Sequence, residues 1–325
     1  MFRALLLTTA SLTAGVLAAP GAALAADTST SLTAAEMSAA LKAVAATTAT
    51  AEIPGYAGSL RATLDGRVAA MAFAVDPATG RGYYRMAYTG YGTEAVYAVA
   101  GKGEYDYLTG SAERAAAKMA GRPEARYVFV PNAKLTLDGW SSRQMSAPSE
   151  IVVEDARHAG TKTTHDDGSA DYSFTGEEKT RVTFTVDATG VVTRGRVVDT
   201  GVEQTITFGY GPQTVTLPAT GQVISQTTLT KAVAYYDLAR KMSRLTSDIM
   251  IGVDDRARGR NVTVAAVRKG ARAAVAGFNE SLAVKVVTVR NVTGGVTISA
   301  TNPYTGVRIA YRLKLSGKHT VARKL

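Results

Sequence analysis

Apolar and polar residues alternate with a period of two through most of residues 181–210, the signature of strands with one buried face. Val182, Phe184 and Val186 alternate with Arg181, Thr183 and Thr185, and Asp187-Ala-Thr-Gly190 forms a turn in which glycine supplies the positive φ. A second strand runs through Val198. A third carries Thr205, Ile206, Thr207 and Phe208 up to Gly209-Tyr-Gly-Pro212. After the short run Thr214 to Leu217, Pro218 has no N–H to donate and ends the pairing.

The same period appears upstream. Leu60, Ala62 and Leu64 lead into an Asp65-Gly66 turn; Met71, Phe73 and Val75 lead into Asp76-Pro-Ala-Thr-Gly80. Tyr84, Met86 and Tyr88 precede Gly90-Tyr-Gly92, and Val96–Val99 and Tyr105–Leu108 flank Gly101-Lys-Gly103. Tyr127–Val130, Ile151–Arg157 and Asp171–Phe174 continue the strands, the last two around the polar turn 163–168. These segments predict an antiparallel sheet built of hairpins. Helical spacing interrupts it twice. Thr33-Ala-Ala-Glu36 is a capping box before Met37, Leu41 and Val44, predicting a helix over about 34–46, and 112–120 is a short helix closed by Gly121 and Pro123.

Beyond Ala219-Thr-Gly221 the pattern changes. Leu238, Met242, Leu245 and Ile249 form one helical stripe; Val264, Val267, Ala271, Val275 and Phe278 form another. Strands follow at 284–289, 296–300 and 307–315. The last has Val307, Ile309, Tyr311, Leu313 and Leu315 on one face and Arg308, Arg312 and Lys314 on the other. The expectation is a small α+β domain, two helices on a three-stranded meander, with an outward basic face.

Residues 208–218, with Phe208, Gly211, Pro212, Thr214, Val215 and Pro218, resemble the close of the half-barrel domains related to the lipoprotein carrier LolA. The nearest kin in this resemblance are the LppX/LprG-type mycobacterial lipid-binding lipoproteins. It covers roughly 33–218 and implies an α+β half β-barrel with covering helices and a lipid-holding inner face. The chain lacks the lipid-modified cysteine of those relatives, since it has no cysteine at all.

Composition sharpens this picture. Met1-Phe-Arg3, the apolar run 4–17 and Ala23-Leu-Ala25 read as a secretory signal peptide, giving expected divisions of 1–25, 26–221 and 222–325. An extracytoplasmic protein of the cell envelope, soluble after cleavage, is the expected address. The absence of cysteine excludes disulfides, thiol nucleophiles and thiolate metal sites. The net charge of +10 is unevenly spread: residues 26–221 hold 18 basic and 22 acidic side chains, residues 222–325 hold 18 and 5. In an exported chain that basicity points to an anionic membrane surface, a wall polymer or an acidic protein, rather than nucleic acid. Solvation of an outer face is the ordinary alternative.

No nucleophile, phosphate-loop or zinc motif occurs, so no enzyme activity and no cofactor is expected. His165 beside Asp166 and Asp167 is more ordinarily a solvated turn than a metal site. The aromatic and methionine inventory offers core or cavity wall. Met71, Phe73, Met86, Tyr97, Phe129 and Phe184 are the wall candidates, with Trp140 and Met145 in a mouth loop over 131–148. Arg268, Lys269, Arg272, Arg308, Arg312 and Lys314 are the candidates for an anionic partner. The expected function is non-enzymatic binding or carriage of a lipid or acyl chain. Domain order alone also resembles the RseB/MucB-type envelope regulators, which bind a membrane-protein ectodomain, and a wall-polymer binder is a third reading.

Overall fold

The computed structural model describes residues 27–325 except 65, 91, 155, 156, 177 and 178. The expected signal peptide lies outside the described residues, as do Asp65 and Tyr91 of two expected turns. The chain opens with β1 (Thr28–Leu32), α1 (Ala34–Glu52), β2 (Tyr56–Leu64), β3 (Arg67–Asp76) and β4 (Arg81–Tyr88). Then come β5 (Gly92–Val99), β6 (Gly103–Tyr107), α2 (Ser111–Met119), β7 (Tyr127–Pro131), α3 (Leu137–Gln144) and α4 (Pro148–Val153). Next are β8 (Gly160–Thr164), β9 (Ala170–Thr175), β10 (Arg181–Val186), β11 (Val192–Asp199), β12 (Val202–Tyr210) and β13 (Val223–Ser225). The chain finishes with α5 (Gln226–Tyr235), α6 (Leu238–Ala257), α7 (Val264–Ser281), β14 (Thr288–Val292), β15 (Gly295–Thr301), β16 (Arg308–Ser316) and β17 (His319–Lys324).

The first thirteen strands form one sheet in the order β1-β8-β9-β10-β11-β12-β2-β3-β4-β5-β6-β7-β13. Every pairing in it is antiparallel except the last, where β13 runs parallel to β7. β12 pairs with β2 along the whole of both strands, from Val202↔Leu64 to Tyr210↔Tyr56. That joins the hairpins of 160–210 to the meander of 56–131. The helices α1, α3 and α4 lie on one face, called inner below, where Phe73, Tyr84, Val96, Phe174, Phe184 and Phe208 share a core with Met37, Leu41 and Val44 of α1.

The capping box of α1 forms as its sequence requires. Glu36 accepts from the Thr33 N–H at 2.8 Å and the Thr33 hydroxyl accepts from the Glu36 N–H at 3.3 Å. The helix runs six residues beyond its expected end at 46, to Glu52. Thr48 is buried and accepts from the Val192 N–H at 3.2 Å, so the polar run 47–50 is tied to the sheet rather than unwound. Pro54 then stops it, because proline has no N–H to continue the helical hydrogen bonds; Ile53 before it is still in helical geometry.

Several polar or short elements depart from expectation. The run Ile151-Val-Val153, expected as strand, belongs to α4, with Pro148 at its first turn. A short apolar run does not distinguish strand from helix by period. β1 and β8 are threonine-rich strands with no apolar alternation, and they pair through Ser29↔Thr163 and Thr30↔Lys162. At that edge His165 is held between Asp27, at 3.1 Å, and Asp171, at 3.4 Å. The expected mouth loop at 131–148 contains α3, capped by Thr136, whose hydroxyl accepts from the Gly139 N–H at 3.2 Å. Trp140 is buried, 1 % exposed, with its ring over Gly82: a Cβ there would sit 2.2 Å from the ring. Gly82 is thus the strand position that lets the indole lie against backbone.

Residues 222–235 stay with the large sheet: β13 extends it, and α5 packs on α2 with Leu108, Ala117, Ile224 and Leu229 between them. From residue 238 the chain builds a second layer pair. α6 and α7 present Met242, Leu245, Ile249, Val267, Ala271 and Val275 to Val296, Ile298 and Leu313 of a four-stranded sheet, β14-β15-β16-β17. The expected three-stranded meander is corrected to four strands, since β17 buries only Thr320, half-buries Ala322 and leaves its one larger apolar residue, Val321, exposed. The first tail strand is displaced from 284–289 to Thr288–Val292.

Replacing Gly82 by alanine is expected to cost about 1–3 kcal/mol by overpacking Trp140. Gly209→Ala, on a β12 position with no atom within 4 Å, is expected to stay within about 0.5 kcal/mol of the parent. Urea unfolding of both variants tests this; equal midpoints would remove the Trp140–Gly82 contact as the reason for the glycine. A second test concerns His165, whose pKa is raised, chiefly by its hydrogen bond to Asp27 and also by Asp171. Its contribution to holding β1 is therefore complete below the unfolded value of about 6.5 and is lost as pH rises through the folded value. An NMR titration is expected to place the His165 midpoint above about 6.5 and to show Asp171→Asn lowering it; a midpoint at or below that value in the parent overturns the assignment.

Candidate functional site

Cross-strand register decides which side chains meet. Met71 faces Met86, Phe73 faces Tyr84, and Tyr84 faces Val96, so these residues share the inner face. Phe184, opposite Tyr172 and Gly195, lies on it as well. Of the wall candidates, Met71, Phe73, Met86 and Phe184 therefore come together inside, joined by Met145 just after α3. Trp140 lies inside too, but as a buried plug over Gly82 rather than part of a mouth.

Tyr97 and Phe129 do not belong with them. Tyr97 pairs with Tyr83 and Tyr105, and Tyr105 with Phe129, on the outer face. There the rings contact one another, Tyr83 to Tyr97 at 4.8 Å and Tyr105 to Phe129 at 4.9 Å between centroids. The sequence run Ala95-Val-Tyr-Ala-Val99 is apolar on both faces, so its alternation does not say which side is inside. The neighbouring strand does: Tyr84 is buried and Tyr83 half-exposed.

Two apolar pockets lie side by side on the inner face. The first, of about 290 Å³, is bounded by Met145 and Ile151 above and by Val182, Phe184, Val197 and Ile206 of the sheet. The second, of about 250 Å³, is lined by Ala62, Ala69, Met71, Met86 and Tyr88. Leu60 and Gln204 belong to both. Gly195 allows this floor, since a Cβ there would come within 2.9 Å of Ile206. The pockets occupy β10, β11, β12, β2, β3 and β4, in the gap between α4 on one side and α3 on the other. Ser146, Glu154 and Gln204 are the polar groups at the first pocket.

A third recess of about 480 Å³ opens where α1, α3 and α4 meet, lined by Glu52, Tyr56, Asp138 and Glu150 among others. Burial raises the pKa of Glu52, opposed by hydrogen bonds from the Ser149 N–H, at 2.7 Å, and hydroxyl, at 2.9 Å. Burial also pushes the Tyr56 phenol up to about 12. These groups fasten α4 to the end of α1.

The basic candidates separate as well. Arg308, Arg312 and Lys314 share the outer face of the second sheet, as their alternation predicts. Arg268 reaches from α7 to the carbonyls of Val292, at 3.1 Å, and Gly295, at 3.4 Å. Arg272 donates to Asn291 Oδ1 at 3.1 Å, whereas Lys269 lines a different recess with Arg256. Arg290 is a cation that sequence reading passes over. It lies opposite Thr297, which lies opposite Arg312, and only that register brings it to the others. Of the other histidines, His158 stacks on Phe174 at 5.9 Å and His319 meets Asp254 at 3.3 Å. No grouping of three metal-ligating side chains occurs among the described residues, and no described helix is long and apolar enough to cross a membrane.

No family model and no curated protein sequence matches this chain. Among solved structures it is similar to an uncharacterised conserved protein from Thermus thermophilus, at 12% identity over 56% of this chain and 97% of that one, with a TM-score of 0.30. It is similar to LprF from Mycobacterium bovis at 11% identity, over 58% and 99% of the two chains, with a TM-score of 0.29. MucB of the Pseudomonas aeruginosa MucA/MucB complex aligns at 10% identity over 85% and 75%, with a TM-score of 0.27. At these scores no residue or role is carried from those proteins to this chain.

Proposed function

We propose that the inner face binds an apolar chain, the acyl part of a lipid or lipoprotein, without bond chemistry. The observation that carries this reading is the pair of pockets that meet at Leu60 and Gln204. From β10 to β4 they cross five strand intervals, about 24 Å at ~4.8 Å each, which suits an extended chain better than a compact ligand. The apolar part of the lining is aliphatic, aromatic and thioether, so binding draws on burial at about 2.5 kcal/mol per 100 Å² removed from water, less the cost of association. Methionines at 71, 86 and 145 give the wall the adaptability that chains of different length require.

The resemblance of residues 208–218 to LolA-related half-barrels supports the same reading. In it the protein is a cell-envelope binder exported behind residues 1–25, with a half-barrel body to about residue 235 and a basic body after it.

Leu60 stands where the pockets join and is only half-buried, so Leu60→Asp is compatible with the fold. A carboxylate there has no partner and opposes an apolar chain. The variant is expected to weaken binding of a fluorescent fatty acid by more than about tenfold. Native mass spectrometry of the parent is expected to show an added mass that extracts as lipid. Undiminished fatty-acid binding by Leu60→Asp, or none by the parent, sinks the proposal.

A further inference from the structure

The outer face of the second sheet contains a groove of about 470 Å³ lined by Arg268, Arg290, Asn291, Thr293, Thr297 and Arg312. Three guanidinium groups thus border one recess. Leu325, the last residue, also borders it; none of the five acidic side chains of 222–325 does, and among the described residues no side-chain carboxylate is paired with any of the three arginines. Arg323 of β17 lies directly opposite Arg312, so two like charges also face each other across neighbouring strands, an arrangement that is destabilising by itself.

Two of the arginines are fixed in place by backbone rather than by acids. Arg268 donates to the Val292 and Gly295 carbonyls, and Arg312 donates to the Thr293 carbonyl at 3.1 Å. Neutral acceptors orient a guanidinium without cancelling its charge. The Arg312 Nε is buried with no hydrogen-bond partner, and a buried donor left unpaired costs free energy. The Thr297 hydroxyl sits in the row between Arg290 and Arg312.

We infer that this groove is a binding site for a phosphoryl group. Forked guanidinium donors, held apart on a rigid sheet with a hydroxyl between them, match the several acceptor oxygens of a phosphate ester. An anion there relieves the mutual repulsion of Arg290, Arg312 and Arg323. The inference does not rest on the apolar pockets, which lie on the other sheet. A free phosphate ester and the headgroup of an anionic lipid share this chemistry, and the probes separate them.

The test uses the full chain with two probes, inorganic phosphate in a calorimetric titration and phosphatidylcholine vesicles containing phosphatidylglycerol in cosedimentation. Saturable binding of at least one is expected. Binding of phosphate alone assigns a free ester, and vesicle binding without phosphate binding assigns a lipid headgroup. Arg290→Lys keeps the charge and removes the fork, and is expected to weaken binding about tenfold. Arg308→Ala, on the same face outside the groove, removes a full charge and is expected to have the smaller effect. Arg268→Lys provides a second reading of the fork, with circular dichroism confirming that each variant is folded. The site is overturned if neither probe saturates, or if Arg308→Ala weakens binding as much as the two lysine variants, which is the result for a diffuse field.

Discussion

The pairing of β12 with β2 is the constraint on which the large sheet depends. It aligns Val202–Tyr210 with Tyr56–Leu64, segments separated by nearly the whole length of the body. Ile206 and Phe208 are delivered beside Leu60 and Gly58, and on the opposite face the Ser59 and Thr207 hydroxyls meet at 2.9 Å. Without this seam the chain has two smaller sheets, each narrow enough for its own helices to cover. With it there are thirteen strands in one surface, spanning on the order of 58 Å at ~4.8 Å per interval.

A helix with its side chains is only about 10–12 Å across. α1 packs over β1, β8 and β11, α4 over β11, α3 over β4 and β5, and α5 over β7 and β13. The strands of the seam itself, β12 and β2, lie between these covers, with β3 beside them. The two apolar pockets are the geometric remainder of a wide sheet and too few helices. Trp140 shows the opposite solution at the next strand, where a large ring is pulled tight over Gly82 and no space is left.

Much of this is legible in the sequence because burial imposes a period. The strands 181–186 and 202–210, the capping box at Thr33, and the inward set Met71, Phe73, Met86 and Phe184 all follow from alternation or cap chemistry. What escapes has no period to read. β1, β8 and β17 are edge or near-edge strands whose polar residues keep pairing groups wet, so no apolar alternation marks them. Alternation misplaces Tyr97 and Phe129 because both faces of their strands are apolar, one being core and the other a ladder of rings. Trp140 is misplaced because a lone aromatic between prolines looks like a loop. Its signal is Gly82, a glycine inside a strand, which often marks close approach by another group. Arg290 needs the register of two strand pairs, which no single segment contains.

Charge in the last hundred residues has to be divided by mechanism rather than counted. Arg308, Lys318 and Lys324 are exposed on the second sheet, where cations keep the molecule soluble and discourage edge pairing. Such groups lower their repulsion by moving apart in water. Arg268 and Arg312 are less free to do so, because carbonyl oxygens hold them, and Arg312 faces Arg323 across a strand pair whose register is set by the buried Leu313. Repulsion that is fixed by the core persists until an anion enters, whereas repulsion between mobile side chains does not. The basic face therefore contains two kinds of charge, and the groove is built around the kind fastened to the backbone.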